Sequence, residues 1–227
     1  MTTSIRERIG AVLRENRLVI AGELAIIVLI QYLQSLRVIS SATIFLFLIG
    51  WASLWFRNSG WKALGMRRPT SWLRTSAIAI AIGVAYQFVS MRVIVPFLHR
   101  ITNEPLDLSQ FESLRGNIAM LAVWLVVAWV IAAFGEEMVY RGYVLNRFGD
   151  IFQNPQTGLW IGAIASSALF ALGHAYQGVT GVVETFIFAC VMALIYLVNQ
   201  RNLWLIIIAH GVYDTVAFIM IYLGLYP

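Results

Sequence analysis

Long apolar runs separated by short polar turns dominate this sequence and constrain its fold more than any other feature. Each run is continuous over about twenty residues, the length that an α-helix needs to cross the hydrocarbon core of a membrane. A transmembrane β-barrel would instead show segments of roughly ten residues with alternating hydrophobicity. Hydrophobic residues make up 60% of the 227 residues and charged residues 12%, whereas soluble domains average about 25% charged residues. The sequence therefore predicts an all-α, polytopic membrane helical bundle.

The apolar runs predict seven transmembrane helices, and the length of the chain would allow eight. The first run is long for the core of a signal peptide, and no small-residue cleavage site follows it, so we expect it to be retained. No linker divides the chain, which predicts a single integral membrane domain over residues 1–227. The predicted spans are residues 18–36, 38–56, 76–98, 117–148, 159–176, 179–198 and 203–223.

The distribution of basic residues predicts how the chain is oriented. With the N-terminus in the cytoplasm, twelve of the 16 Lys and Arg residues fall on the inner side, three on the outer side, and Arg92 within a span. This asymmetry follows the positive-inside rule and predicts a multi-pass protein of the cell membrane with a cytoplasmic N-terminus. The net charge of +5 is explained in the same way, so no nucleic-acid partner is predicted. The single cysteine, Cys190, allows no intrachain disulfide.

Charged residues at membrane depth are the strongest functional signal in the chain. Glu136, Glu137 and Arg141 follow the fourth apolar run, and each charge near a bilayer centre costs about 2.5–3.5 kcal/mol on insertion scales. Glu137 and Arg141 have the i,i+4 spacing of a helical ion pair. Glu136 lies about 100° around the helix from its neighbour. We therefore expect Glu137 to be neutralised by Arg141, and Glu136 to face a cavity as a general base.

Two histidines occur in later apolar runs. His210 and Asp214 are also spaced i,i+4, so the carboxylate can accept a hydrogen bond from the imidazole and fix its tautomer, or both can serve one ligand. His174 follows Phe170 by one helical turn. Three further ionisable residues in the spans have no evident partner and are expected to be structural or to snorkel toward the membrane boundary; they are Glu23, Arg92 and Glu184.

Together these residues form the pattern EExxxR, FxxxH and HxxxD on successive predicted helices. This pattern resembles the CAAX prenyl protease and bacteriocin-processing family of intramembrane endopeptidases, also called CPBP or ABI. The resemblance covers a protease-like core of about residues 117–217, and the N-terminal third contributes little to it. It implies a helical membrane fold and hydrolysis of peptide bonds inside the bilayer, with a peptide or a prenylated protein as substrate.

The resemblance also implies a role for each motif residue. Glu136 and His174 would hold and activate the attacking water, and His210 with residue 214 would stabilise the oxyanion of the tetrahedral intermediate. Glu137 and Arg141 would support this catalytic set. Family members with asparagine at the last position can donate a hydrogen bond from its side chain, whereas Asp214 can do so only when protonated.

Alternative functions remain open from the sequence. No cofactor is predicted, in line with the resemblance to a glutamate protease, but Glu136, His174, His210 and Asp214 would also make a plausible zinc site. A non-enzymatic bacteriocin-immunity or scaffold protein could keep the same helices. A proton-coupled transporter could use the buried carboxylates and histidines as a relay, although the absence of a detectable repeat argues against this class.

Overall fold

The computed structural model describes residues 4–226, which form helices connected by short loops. Two short 3₁₀ segments, Ser109–Leu114 and Ala175–Gln177, lie in connections. The helices are numbered in chain order as α1 Ile5–Glu15, α2 Arg17–Ser35, α3 Ala42–Phe56, α4 Trp72–Thr102, α5 Ile118–Ile151, α6 Pro155–Leu172, α7 Gly178–Val198 and α8 Leu203–Tyr222.

The all-α, polytopic architecture predicted from the apolar runs is confirmed. Five helices in the described part of the chain are long and apolar enough to cross a membrane, namely α2, α4, α5, the segment Ala175–Val198 that contains α7, and α8. Helix α3 is apolar but has only 15 residues, about 22 Å at 1.5 Å per residue. Helix α6 has 18 residues. Which end of the bundle faces the cytoplasm stays a prediction from charge.

Several predicted boundaries are wrong by about four residues. Helix α4 runs over Trp72–Thr102 rather than 76–98, and α6 ends at Leu172 rather than residue 176.

Two other predicted boundaries are wrong for identifiable local reasons. The second span begins at Ala42 rather than residue 38, because residues 36–41 form the turn after α2, with Arg37 in a left-handed conformation. The fifth begins at Pro155 rather than residue 159. Asn154 caps this helix by accepting hydrogen bonds from the backbone N–H groups of Gln156 and Thr157, and proline is well suited to the first helical position.

Two of the long helices contain π-helical segments, which the sequence pattern did not predict. Ser90–Ile94 interrupts α4, and Ala128–Val144 occupies the middle of α5. The second segment contains the whole glutamate–arginine motif. In a π-helix the backbone bonds from i to i+5, and such segments are frequent at functional sites. The wider turn changes the direction of successive side chains relative to the α-helix assumed from sequence.

The helices that carry the motifs do not begin at the same level. Helix α6 begins against the end of α5, where Gly158 lies beside Gly149. Helix α8 begins further back along α5, where Leu203 lies beside Gly142. His174 is therefore many more residues from the start of its helix than His210 is, yet both rings approach the ring of Phe170. Counting residues from the start of each span would place His174 and His210 at different depths in the membrane. The offset between the helix starts removes this difference.

A buried ion pair joins the N-terminal helices to α5. Arg57, at the end of α3, pairs with Glu23 of α2 at 2.8 Å, and the hydroxyl of Tyr143 donates a hydrogen bond to the same glutamate. The Arg57 guanidinium also donates to the backbone carbonyl of Leu13. Glu23, which has no evident partner in the sequence, is thus a structural residue with three helices attached to it.

Close contact between α5 and α6 should make Gly162 intolerant of substitution. A Cβ atom at this position would lie 2.3 Å from the backbone oxygen of Leu145, so the helices would have to move apart. Overpacking of this kind costs about 1–3 kcal/mol. We expect Gly162→Ala to lower the midpoint of thermal unfolding in detergent.

Gly22 provides the matched control, because a Cβ atom there would meet nothing within 4 Å. Replacing an exposed helical glycine with alanine typically gains about 0.5–1 kcal/mol. Gly22→Ala should therefore leave the midpoint unchanged or raise it. Equal midpoints for the two variants would contradict the close packing of α5 on α6.

Candidate active site

A cavity of about 200 Å³ lies in the interior of the bundle between α5, α6, α7 and α8. The loop that precedes α5 closes one side of it through Leu106, Leu108 and Phe111. The residues predicted to be catalytic all line this cavity; they are Glu136, His174, His210 and Asp214. Residues from three distant parts of the chain, on three different helices or their ends, are therefore brought to one space.

The ion pair predicted from the i,i+4 spacing is present beside the cavity. Glu137 and Arg141 are both fully buried, and their Oε1 and Nη1 atoms are 3.0 Å apart. The guanidinium also donates to the backbone carbonyl of Ala189 on α7 at 3.2 Å, and its carbon lies 4.6 Å from the centre of the Phe170 ring. Arg141 is therefore held by three helices. Glu137 does not line the cavity, whereas Glu136 does.

His210 is hydrogen-bonded to Glu137 rather than to Asp214, whose bond to this imidazole was one of the two arrangements that the sequence left open. The Nδ1 atom of His210 lies 2.8 Å from Oε1 of Glu137, while its Nε2 atom is 3.6 Å from Oδ2 of Asp214. The second distance is too long for a hydrogen bond. An ionised carboxylate only accepts hydrogen bonds, so Nδ1 carries the proton. Nε2 is then left facing the Asp214 side of the cavity.

His174 lies just beyond the C-terminus of α6 rather than within that helix. Its Nδ1 atom donates a hydrogen bond to the backbone oxygen of Phe170 at 3.0 Å. Nε2 is therefore the ring nitrogen that is available to other partners. The Phe170 ring centre is 4.8 Å from that of His174 and 6.2 Å from that of His210. Phe170, the first residue of the FxxxH pattern, therefore lies beside both imidazole rings and helps to fix the distance between them.

The N-terminal helices contribute to the site more than the resemblance indicated. Thr43 of α3 places its hydroxyl 3.5 Å from Oε1 of Glu136, at the limit of a hydrogen bond. Gln34 of α2 donates to the backbone oxygen of Gly173, next to His174, at 2.9 Å. The carbonyl oxygen of the same side chain accepts from the backbone N–H of Ala42. No motif marks these residues in the sequence, because they act through the backbone or at the edge of the site.

Glu184 of α7 is the ionisable residue of the cavity that sequence reasoning left out. Its side chain is buried, with 5% of the residue exposed, and it lines the same cavity. Ser90, in the π-segment of α4, donates to its Oε1 atom at 2.6 Å, and the hydroxyl of Tyr213 lies 3.4 Å from that atom. Its signal in the sequence was a lone carboxylate in an apolar run, which suggests a functional residue by default, although the same signal at Glu23 belongs to a structural ion pair.

Arg92, which the sequence analysis set aside, and His99, the third histidine of the chain, lie away from the cavity. Arg92 and His99 are exposed on the outside of α4. Within residues 4–226, no group of three or more His, Cys, Asp and Glu side chains is arranged so that it could hold a metal ion. The zinc site considered from the sequence therefore stays a hypothesis for experiment.

The fold and the cavity together define a membrane-embedded helical protein with paired carboxylates and histidines in its interior. Residues 118–216 match the family model described as type II CAAX prenyl endopeptidase Rce1-like. No curated protein and no solved structure matches the chain. The matched segment contains all three motifs, so the resemblance that they indicate is confirmed over residues 118–216. The match supports, at a general level, an intramembrane endopeptidase of the CAAX type.

The buried ion pair predicts a large loss of stability when one charge is removed. Arg141→Met would leave the buried Glu137 with His210 as its remaining hydrogen-bond partner among residues 4–226, and removing one member of a buried ion pair typically costs about 3–5 kcal/mol. We expect a marked fall in the midpoint of thermal unfolding in detergent. Adding Glu137→Gln to this variant should recover part of the loss, because the stranded charge is gone.

Arg115→Met is the control for this experiment, since Arg115 is exposed in the loop before α5. It should leave the midpoint within a degree or two of the wild type, as surface substitutions usually change stability by less than about 0.5 kcal/mol. A fall as large as that of Arg141→Met would show that loss of any arginine destabilises the protein, and that the pair with Glu137 is not the cause.

Gln34 should matter for the position of His174. Gln34→Leu leaves the carbonyl of Gly173 and the N–H of Ala42 without this partner, which typically costs about 1–3 kcal/mol. We expect lower stability together with weaker peptide cleavage. Gln156→Leu, on an exposed position at the start of α6, should change neither quantity. Full activity and unchanged stability in Gln34→Leu would contradict a positioning role.

Proposed function

We propose that this protein hydrolyses a peptide bond of a prenylated or otherwise membrane-bound peptide by means of a water molecule activated by Glu136 and His174. The observation that carries the proposal is that the cavity brings Glu136, His174, His210 and Asp214 together, while Arg141 is occupied by Glu137. Glu136 is then the carboxylate available to accept a proton. The largely apolar lining suits a substrate that enters from the lipid.

Each residue has a defined task in this proposal. Glu136 accepts a proton from the water as its oxygen attacks the substrate carbonyl carbon, and the carbonyl π electrons move to the oxygen to give a tetrahedral intermediate. His174 holds the water through Nε2, because its Nδ1 is committed to Phe170. Collapse of the intermediate breaks the C–N bond, and the proton held by Glu136 passes to the leaving amine.

The oxyanion of the intermediate requires hydrogen-bond donors on the other side of the cavity. His210 bonds Glu137 through Nδ1, so it can donate to the oxyanion from Nε2 only when both ring nitrogens are protonated. Asp214 can donate only as the neutral acid. The imidazole of His210 lies beside two carboxylates, those of Glu137 and Asp214, which can balance the charge of a doubly protonated ring. We therefore assign the main oxyanion role to the doubly protonated His210.

A metal-dependent version of the same hydrolysis uses the same residues as ligands. Zinc held by His174, His210 and Asp214 would supply an activated water and leave Glu136 as the base. The two versions differ in their response to a chelator. A non-enzymatic immunity or scaffold function would instead be independent of Glu136.

The experiment is cleavage of fluorogenic peptides, prenylated and not, by the detergent-purified protein. Glu136→Gln and His174→Ala should each lower kcat/KM by at least about a hundredfold, since general acid–base groups typically contribute 10²–10⁴-fold. A chelator should have no effect. Loss of cleavage with chelator and its recovery with zinc would instead establish the metalloprotease.

Matched controls come from residues of the same type outside the cavity. Glu112→Gln and His99→Ala alter exposed side chains and should keep wild-type cleavage. If Glu136→Gln retained full activity, the assignment of the base would be wrong. If the wild type cleaved no peptide but performed a biological function that survives Glu136→Ala, the immunity or scaffold function would replace the protease.

A further inference from the structure

The cavity holds a carboxylate that the proposed hydrolysis does not use. Glu184 lies on α7, on a different helix from Glu136 and from Asp214, and it contacts neither of them by hydrogen bonding. Burial of a carboxylate in an apolar interior is costly unless it has partners. The buried carboxylate of Glu184 must therefore have partners, either in the protein or in what the cavity binds.

The side chain of Glu184 is held in place through one oxygen. Oε1 accepts the hydrogen bond from Ser90 at 2.6 Å and lies 3.4 Å from the hydroxyl of Tyr213. Ser90 is itself fully buried, and Tyr213 is fixed by stacking on Phe188 with ring centres 4.6 Å apart. Among residues 4–226, no group donates a hydrogen bond to the other carboxylate oxygen, Oε2 of Glu184. A buried, fixed carboxylate thus presents an unpartnered acceptor on the wall of the cavity.

The charge balance of the cavity points to the chemistry of what it binds. Three carboxylates line it, those of Glu136, Glu184 and Asp214, and within the described chain its lining contains neither Lys nor Arg. Arg141 lies outside the lining and is taken by Glu137. Apart from His210, which the proposed hydrolysis uses for the oxyanion, a substrate carboxylate would find no cationic partner in this lining. A substrate ammonium or guanidinium would supply the counter-charge that Glu184 lacks, and charge-assisted hydrogen bonds are the strong ones.

The position of Glu184 relative to the catalytic residues fits a subsite of a bound peptide. Phe188 follows Glu184 by one turn of α7, about 5.4 Å, and its ring centre is 4.9 Å from that of His210. Glu184 is therefore on the order of 10 Å from the imidazole, and an extended peptide covers this in about three residues at roughly 3.3 Å each. A side chain a few residues from the scissile bond can reach it.

We propose that Glu184, held by Ser90 and Tyr213, is a specificity subsite for a positively charged group of the peptide substrate, two to four residues from the cleaved bond. This inference rests on the proposed function, because it names the class of substrate for the same cavity. It predicts that the enzyme prefers a lysine or arginine side chain at one position over an uncharged residue of equal size.

The test is a position scan with N-acetylated fluorogenic peptides that differ in one residue. Lysine, norleucine or glutamate is placed in turn at the second to fourth positions on each side of the bond. At one position we expect the wild type to cleave the lysine peptide at least about tenfold better in kcat/KM than the norleucine peptide. Glutamate should be the poorest. A further peptide with a free N-terminus distinguishes a terminal ammonium from a side chain.

The preference should depend on Glu184 itself. In Glu184→Gln the ratio of lysine to norleucine cleavage should fall to about one, whereas Glu112→Gln, at an exposed position, should keep the wild-type ratio. If Glu184 only joined α7 to α4, its substitution would lower the unfolding midpoint and leave the ratio unchanged. A ratio that persists in Glu184→Gln, or is one in the wild type at every position, overturns the subsite.

Binding of the same peptides, followed by fluorescence anisotropy, separates this inference from the proposed function. If no peptide is cleaved but the lysine peptide binds the wild type more tightly than Glu184→Gln does, the subsite stands and the hydrolytic function falls. Equal binding of lysine and norleucine peptides removes the subsite, whatever the outcome for cleavage.

Discussion

The Glu137 carboxylate is the point on which the interior of this protein depends. One of its oxygens accepts from Arg141 on the same helix and from His210 on α8, so it joins the motifs of two helices. Arg141 in turn reaches the backbone of α7 and the ring of Phe170 on α6. In an apolar interior these partners must be present together, because any one of them left alone would be a buried charge or an unsatisfied donor.

This network also separates the roles of two adjacent glutamates. Glu137 is enclosed and carries structure, while Glu136 lines the cavity with only a distant hydroxyl from Thr43. A carboxylate without a cationic partner in such a space can exchange a proton with a bound water. The family model that matches the segment with the three motifs is one of endopeptidases, and the proposed function assigns the base to the glutamate that lines the cavity. Glu184 and Asp214 are further carboxylates on the wall of that cavity.

Much of the fold, and the contacts of the site that lie within one helix, could be predicted from residue patterns. The apolar runs predict the long helices, and the i,i+4 spacing predicts the Glu137–Arg141 pair, because both depend on chain-local geometry. The partner of His210 could not be predicted this way. Asp214 has the right spacing, but the contact to Glu137 depends on how α5 and α8 pack, which spacing within one helix does not contain.

The sequence by itself determined that the chain is a helical membrane protein with charged residues that would be costly to expose to lipid. It also predicted, through three motifs, four of the residues that line the interior cavity. Only the tertiary structure decided that the helices start at different levels, that Gln34 and Thr43 support the site, and that Glu184 shares the cavity. The physical reason is that composition and periodicity fix the length and the faces of each helix, whereas the offset and contact between helices follow from packing across the whole bundle.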